Sequence, residues 1–320
     1  MTQSNIKRNP GTDLNLAWIK NIQANTSATE RRAATLGARR SIKKDHQAAW
    51  LIKAIGLIDL TTLAGDDTEQ RVRRLCAKAK NPLRQDLKEA LGIGDMTLTT
   101  GAVCVYHDML ATAHKALEGT GIHLAAVSTG FPAGLTPHEL KVAEIKASVA
   151  AGADEIDVVI TRKHVFKQDW QALYDEVKEY RDACGEAHLK TILATGELAT
   201  LRNVAKASMV CMMAGADFIK TSTGKESVNA TLPVSLTMIR QIRDYLQLTG
   251  YKIGYKPAGG ISKAKDALVY LSMMKEELGN DWLEPELFRF GASSLLGDIE
   301  RQLEHHVTGH YSAAHRHAMG

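Results

Sequence analysis

From about residue 55 onward, short runs of β-branched and other apolar residues recur along the chain, separated by longer stretches with helical periodicity. The runs are IGLID (55–59), GAVCVY (101–106), HLAAVST (123–129) and EIDVVIT (155–161), then HLKTILATG (188–196), DFIKTST (217–223), KIGYKPAGG (252–260) and LFRFGAS (287–293). Each has strand length, and the run at 217–223 passes straight into turn residues. Between them, segments such as LKVAEIKASVAAGA (140–153) and VSLTMIRQIRDYLQLTG (234–250) space apolar residues for one face of a helix. Strict strand–helix alternation implies an α/β fold with a parallel sheet. Eight such units in roughly 250 residues match a closed (β/α)8 TIM barrel. An open doubly wound sheet is the alternative, but no GxGxxG follows the first strand.

Ahead of the barrel, TDLNLAWIKNIQAN (12–25) puts Leu14, Trp18, Ile19 and Ile22 on one helical face behind a Thr/Asp cap. ERRAATLGARRSIKKDHQ (30–47) reads as a second, basic helix. A solvated helix face is its simplest reading, and an anionic surface the alternative. The expected division is an N-terminal helical extension (1–49), a barrel (50–304) and a C-terminal tail (305–320).

Composition narrows the function classes. A chain of 320 residues with 44% hydrophobic and 24% charged residues fits one large α/β domain. A net charge of +4 makes no electrostatic case for nucleic acid. No apolar run approaches the roughly 18 residues of a membrane span, and MTQSNIKRNPGTDLN lacks the apolar centre of a signal peptide. A soluble, cytoplasmic protein is expected. Cys76, Cys104, Cys184 and Cys211 form no CxxC pair, which suggests a reducing compartment and neither disulfides nor zinc. Of the histidines, His305, His306, His310, His315 and His317 crowd the tail, where they are expected to be solvated. No pair at a strand end has metal-ligand spacing, so neither a metal nor a cofactor is expected.

The candidate chemistry lies in the strands. Asp59, Cys104, Asp157, Lys190, Lys220 and Lys256 fall within the first, second, fourth, fifth, sixth and seventh runs, and Ser293 closes the eighth. Barrel enzymes keep their reactive groups at the C-terminal ends of strands. Three lysines and two aspartates directed into one core must be partners, because an unpaired buried charge costs several kcal/mol. Lys220 and Lys256 sit on successive strands. At about 5 Å and an effective dielectric of about 20, their repulsion would be roughly 3 kcal/mol, or about two pKa units. Burial adds to that depression, and a neutral amine in an apolar pocket forms a Schiff base with a carbonyl. Asp157 could sit against either lysine. Beside Lys256 it would serve proton transfer; beside Lys220 it would offset the depression. Glycines after Lys256 and the GASSLL start of a helix (291–296) suggest a phosphate site, since barrels bind phosphate at the loops after strands seven and eight.

Taken together, IDLTTL (58–63), AVCVY (102–106), GADEIDVV (152–159), LKTILATGEL (189–198), GADFIKTSTGK (215–225), GYKPAGG (254–260) and FRFGASSLL (288–296) resemble the deoxyribose-phosphate aldolase family, in its longer, animal-type branch. The resemblance covers about residues 50–300. It implies a metal-independent class I aldolase that reversibly cleaves 2-deoxy-D-ribose 5-phosphate to D-glyceraldehyde 3-phosphate and acetaldehyde, in deoxyribonucleoside catabolism. By motif, Lys220 is the Schiff-base lysine, Lys256 the neighbour that lowers its pKa, and Asp157 the second proton carrier. Gly224, Lys225, Gly259, Gly260, Ser293 and Ser294 correspond to the phosphate region. Asp59, Thr61, Cys104, Lys190 and Thr223 correspond to residues lining the pocket. Ser262 and Lys263 stand where family members often carry an arginine, so phosphate binding would lean on backbone groups and Lys225. Tyr311 is followed by nine more residues and receives no active-site role. The phosphosugar is the only expected partner, and a homo-oligomer is left open. Another lysine-dependent barrel of the transaldolase kind and a non-catalytic phosphosugar-binding protein are the rival readings.

Overall fold

Each of the eight apolar runs contributes a strand: β1 Ile58–Thr61, β2 Ala102–Val105, β3 His123–Ser128, β4 Glu155–Val159, β5 His188–Ile192, β6 Phe218–Lys220, β7 Gly254–Lys256 and β8 Phe290–Gly291. The computed structural model describes residues 8–39 and 42–317. The readings that rest on residues 1–7, 40–41 and 318–320 lie outside them. All pairings are parallel and run in the order β7-β6-β5-β4-β3-β2-β1-β8. Parallel bridges Tyr255↔Phe288 and Ala258↔Gly291 join β7 to the β8 segment and close the ring. This is a (β/α)8 barrel.

Three helices precede it: α1 Leu16–Asn21, α2 Thr26–Arg39 and α3 Lys44–Gly56. Around the ring lie α4 Glu69–Lys80, α5 Gln85–Ala90, α6 Leu110–Leu117, α7 His138–Ala150, α8 Arg162–Lys167 and α9 Trp170–Ala183. The circuit ends with α10 Leu201–Met213, α11 Leu232–Thr249, α12 Ala264–Leu278 and α13 Ser294–Thr308. Local chemistry sets several boundaries. Thr68 and Thr200 accept backbone N–H bonds as N-caps of α4 and α10, and Gly250 stops α11 at φ 77°.

Alternation along the strands divides the core. Leu60, Ile156, Leu189 and Ile219 point outward into one large apolar layer shared with the helices. A smaller cluster of Cys104, Ala125, Val127, Phe131, Val159 and Ile192 fills part of the barrel interior. At the N-terminal end of the barrel, a Cβ on Gly254 would lie 2.3 Å from the Phe218 ring, its register partner on β6. Gly254→Val should therefore destabilise the barrel by about 1–3 kcal/mol through overpacking, which would appear as a lower urea midpoint at unchanged slope.

The N-terminal region departs from its predicted form. The predicted helix is split between α2, which ends at Arg39, and α3, which begins at Lys44; Lys43 is extended (φ −133°, ψ 162°) and Lys44 has φ 54°, both outside the α-helical region. Position 50 falls inside α3, which leads directly into β1. Nor is the face of α2 simply solvated: Thr29, Ala33 and Leu36 are buried, and Arg32 pairs with Glu276 of α12 at 2.7 Å. Asn9 anchors the segment before α1. Its backbone N–H donates to Asp217, its amide to the Met212 and Ala216 carbonyls, and its Oδ1 accepts from Tyr245.

The tail also differs. Its histidines are not uniformly solvated: His317 is buried, with Nε2 2.8 Å from Glu304 and Nδ1 3.5 Å from Glu300 on α13. Two acidic residues one helical turn apart make the receptor for it. Tyr311 is exposed and stacks on His305.

Candidate active site

Alternation on β1, β4, β5, β6, β7 and the segment entering β8 sends seven charged side chains into the barrel, and all are buried: Asp59, Glu155, Asp157, Lys190, Lys220, Lys256 and Arg289. Contacts between non-neighbouring strands are available only through the interior. Asp157 Oδ2 on β4 accepts from Lys220 Nζ on β6 at 2.7 Å and from Lys256 Nζ on β7 at 2.8 Å. Lys256 also lies 2.5 Å from Asp59 on β1. Beneath this level Lys190 pairs tightly with Glu155 and sits 3.5 Å from Asp59 and 3.4 Å from Asp157. Arg289 closes the network, 2.7 Å from Asp59 and 3.0 Å from Glu155.

The two lysines that share Asp157 are driven apart in protonation. Burial lowers the pKa of Lys220; Asp157 opposes this and the Lys256 ammonium reinforces it, leaving Lys220 below the ordinary lysine range. Burial also works against Lys256, but the Asp157 and Asp59 carboxylates outweigh it and hold Lys256 above that range. Burial would raise the pKa of Asp157, yet Lys220, Lys256 and Lys190 together keep it far below the usual carboxylate value. Burial pushes the Cys104 thiol up to about 11, so it stays protonated. The site thus combines a candidate neutral amine, a fixed ammonium and a carboxylate touching both.

The predicted pocket residues occupy different levels. Asp59, Cys104 and Lys190 are fully buried; Asp59 and Lys190 pair with the other charged groups, and Cys104 faces Lys220 from β2. Thr61 and Thr223 are nearer the mouth, with Thr223 accepting from Lys225 N–H and donating to Glu226. The expected phosphate residues gather at the C-terminal ends of β6, β7 and β8. Gly224, Gly259 and Gly260 have φ of 85°, 79° and 81°, which only glycine adopts freely. The Ala258↔Gly291 bridge places the β7 loop beside the start of α13, where Ser294 is exposed in the first turn. Ser293 is otherwise engaged: its hydroxyl accepts from Thr61 N–H at 2.9 Å and donates to the Thr61 carbonyl at 2.5 Å. Its side chain pins β1 to the start of α13. Lys225 is exposed at the rim, and the arrangement leaves Ser262 part-buried and Lys263 exposed at the residue before α12.

Residues 53–299 match the model of the DeoC/LacD family aldolases. The chain belongs to this family. It is 60% identical to the human deoxyribose-phosphate aldolase over 309 residues, covering 96% of this chain and 97% of that protein. The Bos taurus deoxyribose-phosphate aldolase is 59% identical over 307 residues, covering 95% and 96%. Among solved structures, the deoxyribose phosphate aldolase of Aeropyrum pernix, described as a tetramer, superposes with a TM-score of 0.60 at 23% identity, covering 85% of this chain and 97% of that one. That likeness supports the fold.

Within this DeoC/LacD barrel two interior charges, Glu155 and Arg289, escape a reading based on motifs. The signal that could have found them is spacing. Glu155 stands two residues before Asp157, and Arg289 two before Gly291, so each shares the inward face. Gly291 itself shapes the site. A Cβ there would come 2.7 Å from Ala258 Cβ and 3.3 Å from Lys256 Cε, so only glycine leaves Lys256 its path.

Proposed function

We propose that this chain is a class I deoxyribose-phosphate aldolase in which Lys220 forms the imine. The observation that carries the assignment is the single Asp157 oxygen shared by two buried lysines on neighbouring strands, one below and one above the ordinary lysine pKa. In the cleavage direction, neutral Lys220 attacks the C1 aldehyde of open-chain 2-deoxy-D-ribose 5-phosphate and loses water to give a protonated imine. Asp157, with Lys256 and water, takes the C3 hydroxyl proton. The C2–C3 bond then breaks, its electrons move into the imine as an enamine, and D-glyceraldehyde 3-phosphate departs. Protonation of the enamine at C2 and hydrolysis release acetaldehyde and restore Lys220. The rim formed by Gly224, Lys225, Gly259, Gly260 and the first turn of α13, with Ser293 fixing that turn, holds the phosphate. Binding energy far from the scissile bond thereby keeps C1 in register with Lys220.

This reading places the enzyme in the cytoplasm, in deoxyribonucleoside breakdown. An assembly of identical chains is compatible with it. Among the described residues, no helix is long and apolar enough to cross a membrane.

Following acetaldehyde and D-glyceraldehyde 3-phosphate release from 2-deoxy-D-ribose 5-phosphate, against ketose phosphates as comparison substrates, tests the assignment. Turnover confined to ketose phosphates would favour the transaldolase-like rival; phosphosugar binding without any turnover would favour the binding-protein reading. The pH dependence follows from the direction at Lys220. Reaction needs the neutral amine, so kcat/KM rises with pH through the folded pKa of Lys220. That rise should lie below the ordinary lysine value of about 10.4.

A further inference from the structure

The buried charges do not balance. Three carboxylates, Asp59, Glu155 and Asp157, face four basic groups, Lys190, Lys220, Lys256 and Arg289. With every group ionised the sealed interior would hold one surplus positive charge, which a low-dielectric medium penalises. Releasing one proton removes it, and the contacts decide which group releases it. Arg289 does not deprotonate. Lys190 touches three carboxylates and Lys256 touches two, whereas Lys220 touches only Asp157. Lys220 is the basic group with the least to lose.

Arg289 lies at the other end of the barrel. Its side chain packs where a Cβ on Gly101 would come within 3.2 Å, and it borders a cavity of about 410 Å³ on the floor, together with His123 and Glu286. The groups facing it are Asp59 from β1, His123 from β3, Glu155 from β4, Lys190 from β5 and Glu286 from the segment before β8. Those facing Lys220 are Cys104 from β2, Asp157 from β4 and Lys256 from β7. Arg289 therefore reaches no substrate atom; its charge reaches Lys220 through the carboxylates it occupies. Without Arg289, Asp59 would have only lysines beside it and Glu155 only Lys190 and the His123 imidazole, and the barrel would balance with all three lysines charged.

We infer that Arg289 is a positioning residue for the aldol reaction, the fixed buried cation that leaves Lys220 unprotonated. The inference rests on Lys220 being the imine-forming lysine. It predicts that the acid limb of kcat/KM is set partly from the barrel floor, by a residue that touches neither substrate nor Lys220.

The test is the pH profile of kcat/KM for 2-deoxy-D-ribose 5-phosphate in the wild type, Arg289→Gln, Glu155→Gln and the double variant, each checked for folding by near-UV circular dichroism. Arg289→Gln should move the acid limb up by roughly one pH unit, the effect of a unit charge about 10 Å away at an effective dielectric of about 20. Glu155→Gln should move it down by a similar amount. The double variant, which restores the original surplus, should return the limb to its wild-type position. A merely structural Arg289 would lower kcat/KM at every pH without moving the limb, and that result overturns the inference. So does a double variant whose limb stays with that of Arg289→Gln. If Arg289→Gln does not fold, Glu155→Gln and the double variant decide: a downward shift in the first and none in the second supports the charge count, and an unmoved limb in Glu155→Gln refutes it. Borohydride trapping of acetaldehyde on the wild type keeps the two levels separate. Failure to label Lys220 removes the underlying reading, whereas labelling together with unmoved limbs removes only this inference.

Discussion

Lys220→Ala abolishes cleavage of 2-deoxy-D-ribose 5-phosphate, with kcat lowered by about 10⁴-fold or more, the scale on which removal of a covalent nucleophile acts. The expectation follows from the geometry. No other lysine in the barrel can replace it, because Lys190 and Lys256 each touch more than one carboxylate and remain ammonium groups. The fold should persist, since truncating Lys220 relieves Asp157 of one partner while Lys256 and Lys190 still neutralise it. A steady-state assay with a thermal melt checks both halves. Near-wild-type turnover in a folded variant would remove Lys220 from the mechanism.

The second large effect belongs to Lys256→Met, which keeps the bulk of the side chain and removes its charge. Both amines bond the same Asp157 oxygen at 2.7 and 2.8 Å. They are thus within about 5.5 Å, where two ammonium groups repel by roughly 3 kcal/mol at an effective dielectric of about 20, equivalent to about two pKa units. In the variant Asp157 stabilises only the protonated form of Lys220, so the acid limb of kcat/KM should move up by about that amount. At neutral pH the rate should fall by about 10²- to 10⁴-fold, since proton transfer also loses a participant. Raising the pH should recover part of the loss. A rate reduced by the same factor at every pH would assign Lys256 to proton transfer alone.

The barrel was legible because short β-branched apolar runs alternate with amphipathic helical stretches, and no tertiary contact is needed to see that repeat. Lys220, Lys256 and Asp157 were legible because a charge inside an apolar run demands a partner. Which partner was not: the sequence left Asp157 open to either lysine, and the structure gives it both through one oxygen. Glu155 and Arg289 went unseen because each stands at the first turn of inward-facing positions, where a single charge reads equally well as a solvated strand end. Only closure of the ring brings β4 against the β8 segment and turns them into an ion pair. His317 was hidden for the same reason: its partners Glu300 and Glu304 become a receptor only when the tail folds back on α13. The break between α2 and α3 rests on backbone angles at Lys43 and Lys44 that side-chain periodicity does not encode. Ser293 illustrates a different limit. Its position at the start of α13 was readable, but the bonding of its hydroxyl to Thr61 depends on where β1 ends.

The most direct test of the account is chemical trapping. The protein is incubated with acetaldehyde at neutral pH, reduced with borohydride and digested, and the ethylated lysine is located by peptide mass spectrometry. One dominant adduct is predicted, on the peptide containing Lys220 and absent from Lys220→Ala. Modification spread over exposed lysines, with Lys220 no more reactive than the rest, would contradict it.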